Sequence, residues 1–254
     1  MNDSILERIQ SSAKALKIDL YTAELASYAD EKELTPEALE AVCGVFEYLE
    51  QKKYDSMVHT MLKLSKLPMN EPKTFERFDF SRLHGKHVQS LKNLSSLSAL
   101  YAGKNLAMAF GRECCLKGYK TYFLRASELN QKLTDARKHG REGAVINGLV
   151  KPSCLIIDEI GRCVFDKENT RMFFDVIDRR YNKDGPSTMI FTSNKTPNQW
   201  GEYFSEDDTL LCSLDRVFDD ATVFMIKGDS YRGRKLETLG LEAGIAKHTE
   251  YKNA

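Results

Sequence analysis

One stretch limits the folds open to this chain more than any other: Ser153-Cys154-Leu155-Ile156-Ile157-Asp158-Glu159-Ile160-Gly161. Cys154 to Ile157 make a short unbroken apolar run, the pattern of a strand buried on both faces, as in a parallel sheet covered by helices. The run ends in two adjacent carboxylates at what would be the strand's carboxyl end, the edge where open α/β sheets bind ligands. One carboxylate there can hold Mg²⁺, directly or through water, and its neighbour can polarise an attacking water. The alternative is a strand that stops at two solvated acids.

The flanking segments alternate in the way such a sheet requires. A helix is expected over 105–117, ended by Gly118, then a strand from Lys120 to Leu124 and a helix capped by Ser127 running to about Arg137. Past the acidic pair come a helix over 168–181, a strand from Thr188 to Thr192, and a turn at Ser193-Asn194. Thr196-Pro197 opens a short helical piece, followed by a helix over 209–218 and a strand over 222–226. Upstream the pattern is helical. Ser4 can cap a helix reaching Lys17, and Thr35-Pro36 places a capping threonine before a proline at the first helical position. The helix it opens carries Leu39, Val42, Phe46 and Leu49, and Met57, Met61 and Leu64 continue an apolar face as core filler. Pro68, Asn70 and Pro72 mark a linker. The division expected is a helical N-terminal domain over 1–67, a linker over 68–77, an α/β domain over 78–235 and a polar tail over 236–254.

Composition narrows the class. Hydrophobic residues make up 42% and charged residues 29% of 254 positions, as in ordinary globular proteins. The formal net charge is zero, so binding to nucleic acid would have to come from local basic patches. Six cysteines contain no C-x-x-C pair, which argues for reduced structural thiols rather than a zinc site or disulfide framework. No apolar run approaches membrane-spanning length and the amino terminus has no signal core, so the expected location is the cytoplasm, away from membranes.

The landmarks Phe78-Asp79-Phe80-Ser81, Arg125-Ala126-Ser127-Glu128-Leu129, Leu155 to Gly161, Thr192-Ser193-Asn194 with Trp200-Gly201-Glu202, Leu214-Asp215-Arg216, and Gly228 to Arg232 occur in an order that resembles the IstB-like transposition helper ATPases. These are relatives of the DnaC-type helicase loaders within the AAA+ class of P-loop NTPases. The resemblance implies a Walker B motif in which Asp158 helps hold Mg²⁺ and Glu159 activates water. It implies that Asn194 is a sensor near the γ-phosphate, that Arg216 is an arginine finger reaching a neighbouring subunit's nucleotide, and that Arg232 is a second sensor. Read as residues alone, Asn194 is also a good turn former, Arg216 could pair with Asp215 on a helix surface, and Arg232 could be a solvated turn residue.

Against that family pattern, one part is missing. A P-loop reads G-x-x-x-x-G-K-[ST]; its amides cradle phosphates, its lysine contacts them and its hydroxyl ligates Mg²⁺. The only Gly-Lys pair near the expected place is Gly103-Lys104, with Ser98 where the first glycine belongs and Asn105 where the hydroxyl belongs. Leu91, Leu94, Leu97 and Tyr101 before it have helical spacing. The better alignment places 91–105 before the family's first strand and Leu106 to Gly111 on the helix after the P-loop. The first strand and the loop, about a dozen residues, are then absent, and Lys104 is not a catalytic lysine. The sheet would be gapped or rearranged, with the 188–192 strand free to pair with 222–226.

Two basic stretches could contact phosphates. Arg137, Lys138, His139 and Arg141 follow the helix after Ser127, where relatives carry loops lining a ring's pore; Arg179, Arg180 and Lys183 sit at a helix end favourable to positive charge. Both could instead be solvated helix faces, and no aromatic residues are interleaved for base stacking, so any DNA binding should be non-specific. The expected protein is a transposition helper that binds DNA and a transposase, in a homo-oligomer that depends on ATP and Mg²⁺ in relatives and is impaired in ATP binding here. The alternatives are a non-enzymatic helicase-loader adaptor that grips a replicative helicase, and an inactive, internally deleted product.

Overall fold

The computed structural model describes residues 2–78, 80, 89, 104–205, 217, 221 and 223–224. Helices α1 (Asn2–Leu16), α2 (Thr22–Glu31) and α3 (Pro36–Leu64) come first. They are followed by α4 (Lys104–Leu116), β1 (Thr121–Arg125), α5 (Ala126–Lys138), α6 (Glu142–Val150), β2 (Cys154–Ile160), α7 (Lys167–Tyr181), β3 (Thr188–Ser193) and a 3-10 helix, Pro197–Tyr203. The helix expected over 91–101, most of that over 209–218, and Arg216, Arg232 and the tail lie outside the described residues. Of the expected strand over 222–226, only Val223 and Phe224 are described.

Among the described residues the sheet has three parallel strands in the order β1-β2-β3. The apolar run of β2 is its centre, because it can be dry on both faces. Cys154 and Ile156 face a core with Phe123, Ile190 and residues of α4, whereas Leu155 and Ile157 face another with Leu124, Phe191 and residues of α5, α6 and α7. This is the two-residue period of a strand read out as a three-layer sandwich. On one side α4 lies so close that a Cβ on Gly111 would stand 2.6 Å from Ile156 Cδ1, and Thr121 Oγ1 donates a hydrogen bond to the Gly111 carbonyl at 3.1 Å. Glycine is there for close approach.

The helical region has a core of its own, built from Ile5, Leu6 and Ile9 of α1, Ala29 of α2, and Leu39 and Cys43 of α3. Thr35 caps α3 through its side chain, which accepts from Ala38 N at 3.2 Å, with Pro36 at the first helical position. The buried face runs 39, 43, 46 rather than through Val42 and Leu49, both exposed, because Cys43 is among the apolar positions and Glu50 accepts a bond from Ser12 at 2.6 Å. The far end of α3 serves a different core: Val58 and Leu62 pack with Cys115 of α4, and Ser65 O accepts from Phe123 N of β1 at 2.8 Å. Leu67 and Phe75 are buried beneath α4, and Phe78 and Phe80, ring centroids 4.8 Å apart, pack against the same core.

Two details differ from expectation for local reasons. Helix α5 begins at Ala126, one residue before Ser127, because Glu128 accepts from Arg125 N at 2.9 Å and closes the first turn. Helix α6 was not anticipated; Gly143 and Gly148 weaken its pattern, yet Ile146 and Leu149 bury its inner face.

Candidate functional site at the carboxyl edge of the sheet

Strands β2 and β3 pair in register up to Ile157 opposite Phe191 and resume at Ile160 opposite Ser193, so β2 carries one extra residue at its carboxyl end. That bulge holds Asp158 and Glu159. Thr192 is its counterpart and joins the two acids. Its hydroxyl donates to Asp158 Oδ1 at 2.6 Å and accepts from Glu159 N at 3.0 Å. Asp158 is fully buried. Glu159 has φ +63°, a left-handed conformation that non-glycine residues rarely adopt and that marks functional edges more often than plain strand ends. Its half-buried carboxylate pairs with the exposed Arg162 guanidinium at 2.9 Å.

The neighbouring turns are fixed as closely. Ser193 Oγ donates to Ile160 O at 2.7 Å and accepts from Lys195 N at 3.0 Å. Gly161 has φ +92° and a Cβ there would meet Lys195 Cγ at 2.8 Å, so the chain leaving the acids needs glycine on both counts. Lys195 lies over the Tyr203 ring, 5.6 Å from its centroid, and that phenol raises the lysine's pKa. Beneath this edge Phe165, Phe173 and Phe204 pack together, the last two stacked at 5.3 Å, and Trp200 meets Phe191 edge-on at 5.7 Å. The edge is thus held by large aromatic contacts rather than by loop contacts alone. Chemically it offers one carboxylate fixed within the sheet and a second, half-buried, held in an ion pair with Arg162.

Asn194 is exposed at the end of β3, on the same edge as the two acids. Arg216 and Arg232 lie outside the described residues. Lys104 opens α4, and among the described residues no strand precedes that helix. No group of three or more His, Cys, Asp or Glu side chains that could hold a metal ion occurs among the described residues. The basic stretch after α5 divides in two. Arg137 is bound to Asp166, the capping residue of α7, at 2.6 Å, while Lys138 and Arg141 are exposed.

The second basic group divides too: Arg179 is exposed and pairs with Asp175 at 2.7 Å, as a solvated helix face would have it, whereas Arg180 and Lys183 are engaged by backbone carbonyls. Arg180 is buried and donates to the carbonyls of Leu149, Val150, Pro152 and Thr188 at 2.8 to 3.1 Å. Burial pulls its guanidinium down to about 10, still charged at neutral pH. Lys183 donates to Lys151 O at 3.0 Å, and burial, with the Arg180 charge beside it, lowers its pKa too. Together they tie the turn before β2 to the end of α7. Thr192 and Arg162 are the site residues that sequence reasoning did not single out; the Thr-Ser-Asn run pointed to the strand end but not to the bridging hydroxyl.

A family model described as IstB-like ATP binding protein matches residues 11–238. A protein of insertion sequence IS5376 from Geobacillus stearothermophilus, named for ATP binding, is 34% identical, with 72% of this chain and 76% of the relative covered. A protein of insertion sequence IS21 from Pseudomonas aeruginosa, similarly named, is 28% identical over 93% of this chain and 91% of the relative. These alignments run over 197 and 249 residues, yet 72% and 93% of 254 residues are about 183 and about 236, so each contains roughly a dozen positions without a counterpart here. Among solved structures, the replication initiator DnaA bound to AMPPCP and single-stranded DNA superposes with a TM-score of 0.50 at 18% identity. That superposition covers 65% of this chain and about half (52%) of the DnaA chain, and it speaks to the fold alone. With nearly its whole length matched by the family model, this chain belongs to the IstB-like ATP-binding protein family.

Proposed function

We propose that this chain is a transposition helper of the IstB type that binds DNA and a transposase but is impaired in binding ATP. The observation that carries the reading is an asymmetry between two halves of one site. The acidic half is built: Asp158 and Glu159 sit on a bulge locked by Thr192, with Asn194 on the same edge. For the phosphate half, the sequence nowhere contains G-x-x-x-x-G-K-[ST]. A triphosphate needs converging amides and a lysine, and two carboxylates facing it without them would repel it. The residues present therefore do not fit Mg²⁺-ATP, and no hydrolytic step is derived through it. The dozen positions that relatives have and this chain lacks support the same reading, since a strand and a P-loop are about that long.

What the residues retain is suited to binding. Lys138 and Arg141 are exposed at the turn between α5 and α6, where a DNA backbone could be met without sequence preference. The names of the relatives, tied to insertion sequences, favour a transposase as the protein partner. The deciding experiment is a calorimetric titration of the full chain with ATP and Mg²⁺. No micromolar binding is expected; micromolar, Mg²⁺-dependent affinity would overturn the proposal and make the chain a working ATPase.

A further inference from the structure

On the side of the sheet away from β3, the last turns of α3 and strand β1 enclose a groove of about 640 Å³. Met57, Met61 and Leu64 of α3 give it an apolar wall, and Lys53, Lys120 and Lys151 stand around it. No acidic side chain is among the described residues that line it. Leu64 is 69% exposed and Met57 39%, and both line the groove. Large apolar side chains left open beside one another mark interaction surfaces more often than chance exposure does. Methionines let such a surface adapt to what enters it.

The groove does not invite an added strand. The outward amide of Phe123 is already bonded to Ser65 O at 2.8 Å, and that of Arg125 to Glu128 Oε2 at 2.9 Å. Nor does it have the row of aromatic faces on which successive bases stack, Tyr122 being the one aromatic among the described residues that line it. An apolar wall with three cations and no anion matches one kind of occupant best.

We propose that this groove docks an amphipathic segment of a partner protein, its apolar side chains set against Met57, Met61 and Leu64 and its flanking carboxylates against Lys120 and Lys151. The site needs neither nucleotide nor DNA, so it stands or falls separately from the function proposed above.

The test uses the full chain and two labelled helical peptides with leucines at i, i+3, i+4 and i+7, one flanked by glutamates and one by lysines. Fluorescence anisotropy is expected to show the glutamate peptide binding at least roughly tenfold tighter. Binding should shift the methyl NMR signals of Met57 and Met61. Leu64→Asp should weaken it by roughly tenfold with an unchanged melting temperature, since Leu64 is exposed, and Lys120→Glu with Lys151→Glu should invert the preference. Equal affinity for both peptides, or no binding, overturns the proposal. So does loss of single-stranded oligonucleotide binding in these variants with peptide binding intact, which would make the groove a nucleic-acid track. A change in sedimentation of the chain alone on Leu64→Asp, without effect on the peptide, would make it a contact between copies.

Discussion

Replacing Thr192 by valine isolates the device that holds the acidic edge together. The hydroxyl makes two bonds, donating to Asp158 Oδ1 at 2.6 Å and accepting from Glu159 N at 3.0 Å, and Thr192 is buried. A hydrogen bond to a carboxylate contributes about 1.5–3 kcal/mol and one to a neutral amide about 1 kcal/mol. Valine matches threonine in shape, so no cavity opens, and the loss should be about 2–4 kcal/mol. Urea unfolding of the two proteins measures it, the m-value being unchanged if only native contacts differ. Thr192→Ser keeps the hydroxyl and removes one methyl, for about 0.8 kcal/mol. If Thr192→Val falls within about 0.5 kcal/mol of the parent, or serine costs as much as valine, then packing rather than the bridging hydroxyl sets the geometry of the two acids, and the reasoning fails.

Other perturbations probe the supports and the surface. Gly111→Ala places a methyl 2.6 Å from Ile156 Cδ1 and should destabilise by about 1–3 kcal/mol in the same assay. Arg180→Met strips the Leu149 and Thr188 carbonyls of their guanidinium donor and leaves those of Val150 and Pro152 to Lys183 alone, and should cost about 2–3 kcal/mol; a near-neutral result would mean those carbonyls find other partners. Partial burial pushes the Asp166 carboxyl up, but the Asn169 amide and Arg137 guanidinium outweigh it and leave its pKa below the ordinary 3.8. Its contribution is therefore complete above that value and is lost as pH falls through the depressed pKa, so the stability gap between parent and Asp166→Asn should close in acid. Lys138→Glu with Arg141→Glu should weaken non-specific DNA binding and flatten its salt dependence by about two phosphate contacts; unchanged affinity and slope would remove that patch. Arg137 is left out of this test because its partner is Asp166.

How far the sequence could be read depended on how local each feature is. The β2 run, the Thr35-Pro36 helix start and the 3-10 turn at Thr196-Pro197 are written in adjacent residues, and each stands where expected. The bulge is not, because it needs Thr192, 33 residues beyond Glu159, to satisfy its amide. Arg180 and Lys183 read as a basic helix end because nothing in their neighbourhood announces the carbonyls of residues 149–152 that surround them. Helix α3 misled by one position per turn, since counting Cys43 as apolar moves the buried face from 42 and 49 to 43.

The distribution of the cores shows what holds the acidic edge in place. The cluster beneath Asp158 and Glu159 is drawn from residues between Leu124 and Val217, and the aromatic stack of Phe165, Phe173 and Phe204 lies wholly within it. None of those residues comes from the stretch before α4. The opposite face of the sheet depends on that region, since Leu67 and Phe75 pack there with α4 against Phe123, Ile156 and Ile190. Packing lost ahead of Lys104 would therefore weaken the α4 face first, whereas the bulge keeps the aromatic support beneath it. The contacts that aim the two acids are thus the contacts of the domain's main core, so packing alone can hold their geometry.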